Sequence, residues 1–128
     1  MKKQIEFLTL VETMQIHHDQ IARYGGICGW RDIRLLESAM AMPSQTFDRC
    51  YLHKNLFEMA AAYAYHISEN QPFLDGNKRV GLASALVFLD LNGIRLDDPE
   101  NKLLSAMQQL SNGKMNKRQF AEILKKLK

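Results

Sequence analysis

Residues 77–92 read NKRVGLASALVFLDLN, and this stretch decides the fold. Its apolar side chains fall at Val80, Leu82, Ala83, Ala85, Leu86, Val87, Phe88, Leu89 and Leu91, so a helix here is apolar over most of its circumference. Such a helix has almost no face to offer to water and belongs in a core. Gly93 stands just past its end, where helices commonly stop. The pattern predicts a central helix over 77–92 and an all-helical bundle around it.

The flanks repeat the helical period. Upstream, Ile5, Leu8, Val11, Met14 and Ile21 fit one face of a long first helix that stops at Tyr24-Gly25-Gly26. A tight loop, Ile27–Trp30, follows, and Asp32 is an N-cap for a short helix from Ile33 to about Met40, closed before Pro43. Pro43–Lys54 has no clean period and reads as a long loop or an extended flap. Leu56, Met59, Ala60, Tyr63 and Ile67 mark the next helix, whose Ala60-Ala61-Ala62 patch permits close packing. Downstream, Asp98-Pro99-Glu100 is a helix start that runs to about Leu110. Asn116 and Gln119 form a capping box for the last helix, with Lys125, Lys126 and Lys128 at its negative end.

Composition narrows the function classes. A chain of 128 residues, 46% hydrophobic and 24% charged, is one domain's worth, residues 1–128. Net charge is +3, too mild to argue for direct nucleic-acid binding. Val80–Leu91 is too short to span a bilayer, and Met1-Lys2-Lys3 is not followed by a signal-peptide core. Cys28 and Cys50, without zinc spacing, read as reduced thiols, and the expected location is cytoplasmic.

One segment is not explained by packing: QPFLDGNKR, residues 71–79. Gly76 can turn the backbone so that successive N–H groups converge on an anion, and the helix opening at Asn77 adds its own unpaired donors. Lys78 and Arg79 supply charge, with Arg79 able to clamp phosphate oxygens, and Asp75 is a hard oxygen ligand beside them. Phe73 is the apolar anchor. A plain capped turn is the competing reading, but basic residues in a first turn oppose the helix dipole, which leaves Lys78 and Arg79 unexplained. The segment is not a Walker loop, and Gly25-Gly26-Ile27-Cys28-Gly29 is a helix stop rather than a dinucleotide fingerprint.

QPFLDGNKR resembles the Fic/Doc signature loop, HPFxDGNKR. Arg23-Tyr24-Gly25-Gly26, Arg31-Asp32 with Leu35–Ala39, Leu56-Phe57-Glu58, and Leu82 to Gly93 are similar to the death-on-curing (Doc) toxin branch, so the resemblance covers about the first hundred residues. It implies an all-α, compact helical bundle with a short flap-like loop, Pro43–Lys54, before the fourth segment. It also implies an ATP- and Mg²⁺-dependent transfer of the γ-phosphate to a hydroxyl of a translation factor such as elongation factor Tu, with neutralisation by a Phd-type antitoxin. By position, Asp75 would hold Mg²⁺, Gly76 and Asn77 would form the anion hole, Lys78 and Arg79 would hold phosphates, and Phe73 would seat the loop. Leu82 stands where AMP-transferring members have a second Arg (GNxRxxR), which favours phosphate over AMP.

The departure is Gln71, in the place of the family's general-base His. A primary amide has no pKa near 7, and loss of a general base costs about 10²–10⁴ in rate. Gln71 could still orient an acceptor hydroxyl, as a Gln orients water in small GTPases; otherwise the chain binds nucleotide and antitoxin without turnover. His66 and His53 are candidate substitutes, each more economically a locally bonded side chain. His17 and His18 read as surface or half-buried, and Glu58 is a candidate to face the site.

Overall fold

The computed structural model of the chain describes residues 4–128; the charged start, Met1-Lys2-Lys3, lies outside them. Six helices are present among the described residues: α1 (Leu10–Tyr24), α2 (Ile33–Ala41), α3 (Leu56–Asn70), α4 (Asn77–Leu91), α5 (Lys102–Ser111) and α6 (Lys117–Lys126). A two-stranded antiparallel hairpin, β1 (Thr46–Phe47) with β2 (Cys50–Tyr51), lies between α2 and α3 and pairs Thr46 with Tyr51. The segment without helical period is thus an extended flap. No helix of the described residues is long and apolar enough to cross a membrane.

The expected helix over 77–92 is α4, and it shares the centre with α3. Met59 to Ala64 are all buried, and α3 packs against α2, α4, α5 and α6. On α4, by contrast, Val87 and Leu91 remain substantially exposed. Small residues explain the pairing. A Cβ added to Gly81 of α4 would lie 2.8 Å from the Ala64 carbonyl oxygen, so the helices approach nearly to backbone contact. Tyr63 and Phe88 then meet at 5.1 Å across the seam. Each such fully buried aromatic contributes on the order of 2–3 kcal/mol of transfer free energy.

Two boundaries differ from the sequence pattern. The first helix begins at Leu10, not near Ile5, because Thr9 and Glu12 form a reciprocal capping box that starts it there. The chain before it is irregular and tied down from afar: the Leu8 N–H donates to the Tyr63 hydroxyl at 3.0 Å, and Glu6 exchanges hydrogen bonds with the Asn92 amide. Val11 is consequently exposed, and the buried positions of α1 are Thr13 and His17. Likewise α5 opens at Lys102 rather than at Pro99. Asp98 still caps it, from outside the helix, by accepting the N–H groups of Lys102 and Leu103 at 2.8 and 2.9 Å. The capping box of Asn116 and Gln119 forms at the start of α6.

Candidate functional site

The loop between α3 and α4 is built from its two ends. Pro72 disfavours helical backbone at the residue before it, so α3 stops, and Gln71 takes a left-handed conformation with φ 48°. The terminal carbonyls of α3 are claimed by one side chain: Arg31 donates Nε to the Gln71 oxygen at 2.7 Å and Nη2 to the Asn70 oxygen at 2.6 Å. Residues 29–32 then run along the loop, with the Arg31 and Asp32 N–H groups on the Pro72 oxygen and the Leu74 N–H on the Gly29 oxygen.

Phe73 is buried beneath the loop rather than in the cavity above it. Its ring stacks on His17 at 3.9 Å and a 4° interplanar angle, and meets Trp30 at 5.0 Å. The Asn77 side chain closes the turn from both sides. Its Oδ1 accepts the Phe73 N–H and its Nδ2 donates to the Phe73 oxygen, both at 3.0 Å. The side chain of Asn77 is therefore spent on the loop, and only its backbone N–H is left for an anion.

Gly76 occupies the N-cap position with φ 77°, which a side chain rarely tolerates, and α4 has no side-chain cap. The amides of Asn77, Lys78 and Arg79 have no acceptor among the described residues. A helix start left open in this way, with its dipole and donors directed outward, is a site for negative charge. Arg79 donates to the Gly25 oxygen at 3.1 Å, and its guanidinium lies 5.5 Å from the centre of the Tyr24 ring. Lys78 is exposed.

Asp75 is held by two amides: Oδ2 accepts the Ile27 N–H at 3.1 Å and Oδ1 the Gly76 N–H at 2.8 Å. These bonds, that from Ile27 first, lower its pKa below the usual carboxylate range, and the nearby charge of Arg79 adds to the effect. Each oxygen keeps acceptor capacity, so the carboxylate can meet a hard cation. No group of three or more His, Cys, Asp or Glu residues stands ready for a metal among the described residues. A Mg²⁺ here fits the usual arrangement of one carboxylate supplemented by phosphate oxygens and water.

Above the loop lies a cavity of about 630 Å³, within the roughly 300–1,000 Å³ range of small-molecule sites. Gln71, Asp75, Gly76, Asn77, Lys78 and Arg79 all line it, together with Leu82. Its far wall is α5, through Leu104, Met107, Gln108 and Ser111. Nothing in the sequence of α5 marks these residues, since their role depends on where α5 docks.

Other candidates lie elsewhere. Glu58 does not face the site: it sits in the first turn of α3, opposite the loop end, bonded to Asn55 Nδ2 at 2.8 Å. His66 faces α6, with Nε2 3.0 Å from Lys117 Nζ. Burial, and then the Lys117 charge, pushes its pKa down to about 4. His53 also has a lowered pKa, chiefly from burial, and neither ring lines the cavity. His17, in contrast to the surface or half-buried reading, is buried at 5% exposure, with Nε2 3.2 Å from the Asp75 carbonyl oxygen. Burial lowers its pKa. Both cysteines are free and exposed.

Comparison with known proteins places these features in a lineage. A profile described as the Fic/DOC family matches residues 7–89. Over 73 residues the chain is 37% identical to a protein named Toxin Doc from Mycolicibacterium smegmatis, a match covering 57% of this chain and 56% of that protein. Over 97 residues it is 34% identical to Protein kinase doc of Escherichia phage P1, covering 70% and 71% of the two chains. The match thus spans little more than half the length of the mycobacterial relative.

Proposed function

The chain belongs to the Fic/DOC family, and from that premise we propose that it is a Doc-type toxin that transfers the γ-phosphate of ATP to a hydroxyl side chain of a translation factor such as elongation factor Tu. The observation that carries this reading is the uncapped start of α4, which opens into a cavity also lined by Asp75, Lys78 and Arg79. The names of the two relatives support it, one being called a toxin and the other a protein kinase. Leu82, lining the cavity where AMP-transferring members carry a second Arg, supports phosphate as the group moved. A Phd-type antitoxin as partner and action in the cytoplasm follow from the same proposal.

In this chemistry the acceptor oxygen attacks the γ-phosphorus while the bond to the β–γ bridging oxygen breaks, ADP departs and the hydroxyl proton passes to water. The amides at the start of α4, with Lys78 and Arg79, hold the phosphates and offset the negative charge. Asp75 is the residue that would hold Mg²⁺, which when bound neutralises part of the triphosphate charge. Phe73 and Asn77 keep the turn fixed. Gln71, on the rim of the cavity, orients the acceptor through its amide oxygen but takes no proton.

Gln71 also favours a second reading, a protein that binds nucleotide and antitoxin with turnover lost or greatly weakened. The test is incubation of pure protein with Mg²⁺, elongation factor Tu and γ-labelled ATP, for the wild type and for Gln71→His. The proposal expects label on the target from both, with Gln71→His faster by about 10²–10⁴, and none from Asp75→Ala. Label from Gln71→His alone would establish the second reading. Label only from α-labelled ATP would mean AMP transfer.

A further inference from the structure

We infer that His17 is a positioning residue for Asp75, fixing the backbone from which that carboxylate projects. His17 reaches the loop from α1, which is separated from it by most of the first half of the chain. Its ring lies flat on Phe73 at 3.9 Å, and its Nε2 stands 3.2 Å from the Asp75 carbonyl oxygen. A carbonyl only accepts, so Nε2 carries the hydrogen and donates it. Its neighbour His18 is exposed, so the phase of α1 selects one of two adjacent imidazoles for the contact.

The same helix controls the other end of Asp75. Directly after α1 the chain turns through Gly25 and Gly26, and the Ile27 N–H donates to Asp75 Oδ2 at 3.1 Å. A Cβ on Gly26 would lie 2.7 Å from that same oxygen, so this turn is pressed against the carboxylate. Backbone and side chain of Asp75 are therefore both referenced to α1: one through His17, the other through the turn that α1 runs into. Asp75 cannot shift along the loop without breaking one of the two. A histidine retained for packing alone would need only its ring, whereas this arrangement also uses the Nε2 hydrogen. The functional consequence rests on the reading of Asp75 as the metal-side carboxylate; the bracing itself does not.

Two substitutions separate ring from donor. His17→Phe keeps a ring to stack on Phe73 and removes the donor; His17→Gln places an amide N–H near the position of Nε2 and removes the ring. Two quantities are measured on the full chain: Mg²⁺-dependent affinity for ADP by calorimetry, and hydrogen exchange at the Ile27 and Gly76 amides by NMR. His17→Phe is expected to lose about tenfold in affinity and to speed exchange at both amides by about tenfold, the scale of one hydrogen bond. His17→Gln is expected to stay within about threefold of wild type in both. Wild-type values in His17→Phe, or equal losses in both variants, would overturn the inference. If wild-type protein does not bind Mg²⁺ and ADP, the proposed function fails, and the exchange rates alone decide the role of His17. Should the variants not fold, nitrogen NMR of the wild-type ring decides: a hydrogen on Nε2 in slow exchange supports the brace, and one on Nδ1 instead refutes it.

Discussion

Replacing Asn77 with Asp changes one amide to a carboxylate of the same shape and isolates what holds the loop closed. The acceptor half survives, because Oδ1 still receives the Phe73 N–H. The donor half is inverted: Nδ2, now an oxygen, faces the Phe73 carbonyl oxygen at the 3.0 Å separation of the present bond. A lost hydrogen bond of this kind costs about 1 kcal/mol, and an acceptor left facing another acceptor brings the total to about 2–3 kcal/mol. Against this, a negative charge in the first turn of a helix gains about 0.3–1 kcal/mol from the dipole. The unfavourable side wins, by about 1–3 kcal/mol. The charge also stands among the amides proposed to receive phosphate, so ADP affinity should fall by more than tenfold. Urea unfolding reads the first quantity and calorimetry the second. If Asn77→Asp matched the wild type in stability and affinity, the closed turn would not be the element that shapes the site.

Two further outcomes follow from packing and ionisation. Gly81→Ala gains about 0.8–1 kcal/mol of helix propensity but forces a methyl group against the Ala64 carbonyl, at about 1–3 kcal/mol. The expected net loss of about 1 kcal/mol lowers Tm by about 3–5 °C, and an unchanged or raised Tm would show that α3 and α4 can separate freely. For His66, the folded protein takes up a proton only near pH 4 whereas the unfolded chain does so near 6.5. The unfolded state therefore binds more protons between these values, so stability is complete above about 6.5 and declines as the pH falls towards 4. The decline should reach about 2 kcal/mol, with the partial exposure of the ring allowed for. Comparing urea midpoints at pH 7 and 4 for wild type and His66→Gln isolates this share, which a parallel loss in both proteins would exclude.

The parts of this protein that could be read from its sequence are those set by neighbours in the chain. The helix at Asn77–Leu91, the N-cap at Asp32 and the capping box at Asn116 depend on residues within a few positions of one another. The loop residues from Gln71 to Arg79 are likewise contiguous, and a shared turn brings most of them to one cavity. His17 was not legible because its burial is decided by Phe73 and Asp75, far along the chain, and nothing local separates it from His18. Ile5 and Leu8 keep the helical spacing and so suggest an earlier start for α1, while Tyr63 and Asn92 hold that segment in another conformation. Glu58 belongs to a segment that resembles the family, and the length of α3 carries it to the end opposite the loop.

The α5 wall of the cavity lies outside residues 7–89, the stretch matched to the family profile. The loop proposed to hold negative charge and the surface facing it are thus written in separate parts of the chain. Leu104, Gln108 and Ser111 belong to α5 and not to the loop, so under the proposed function their exchange is expected to alter which phosphate-bearing molecule fits the cavity while the loop side chains stay in place.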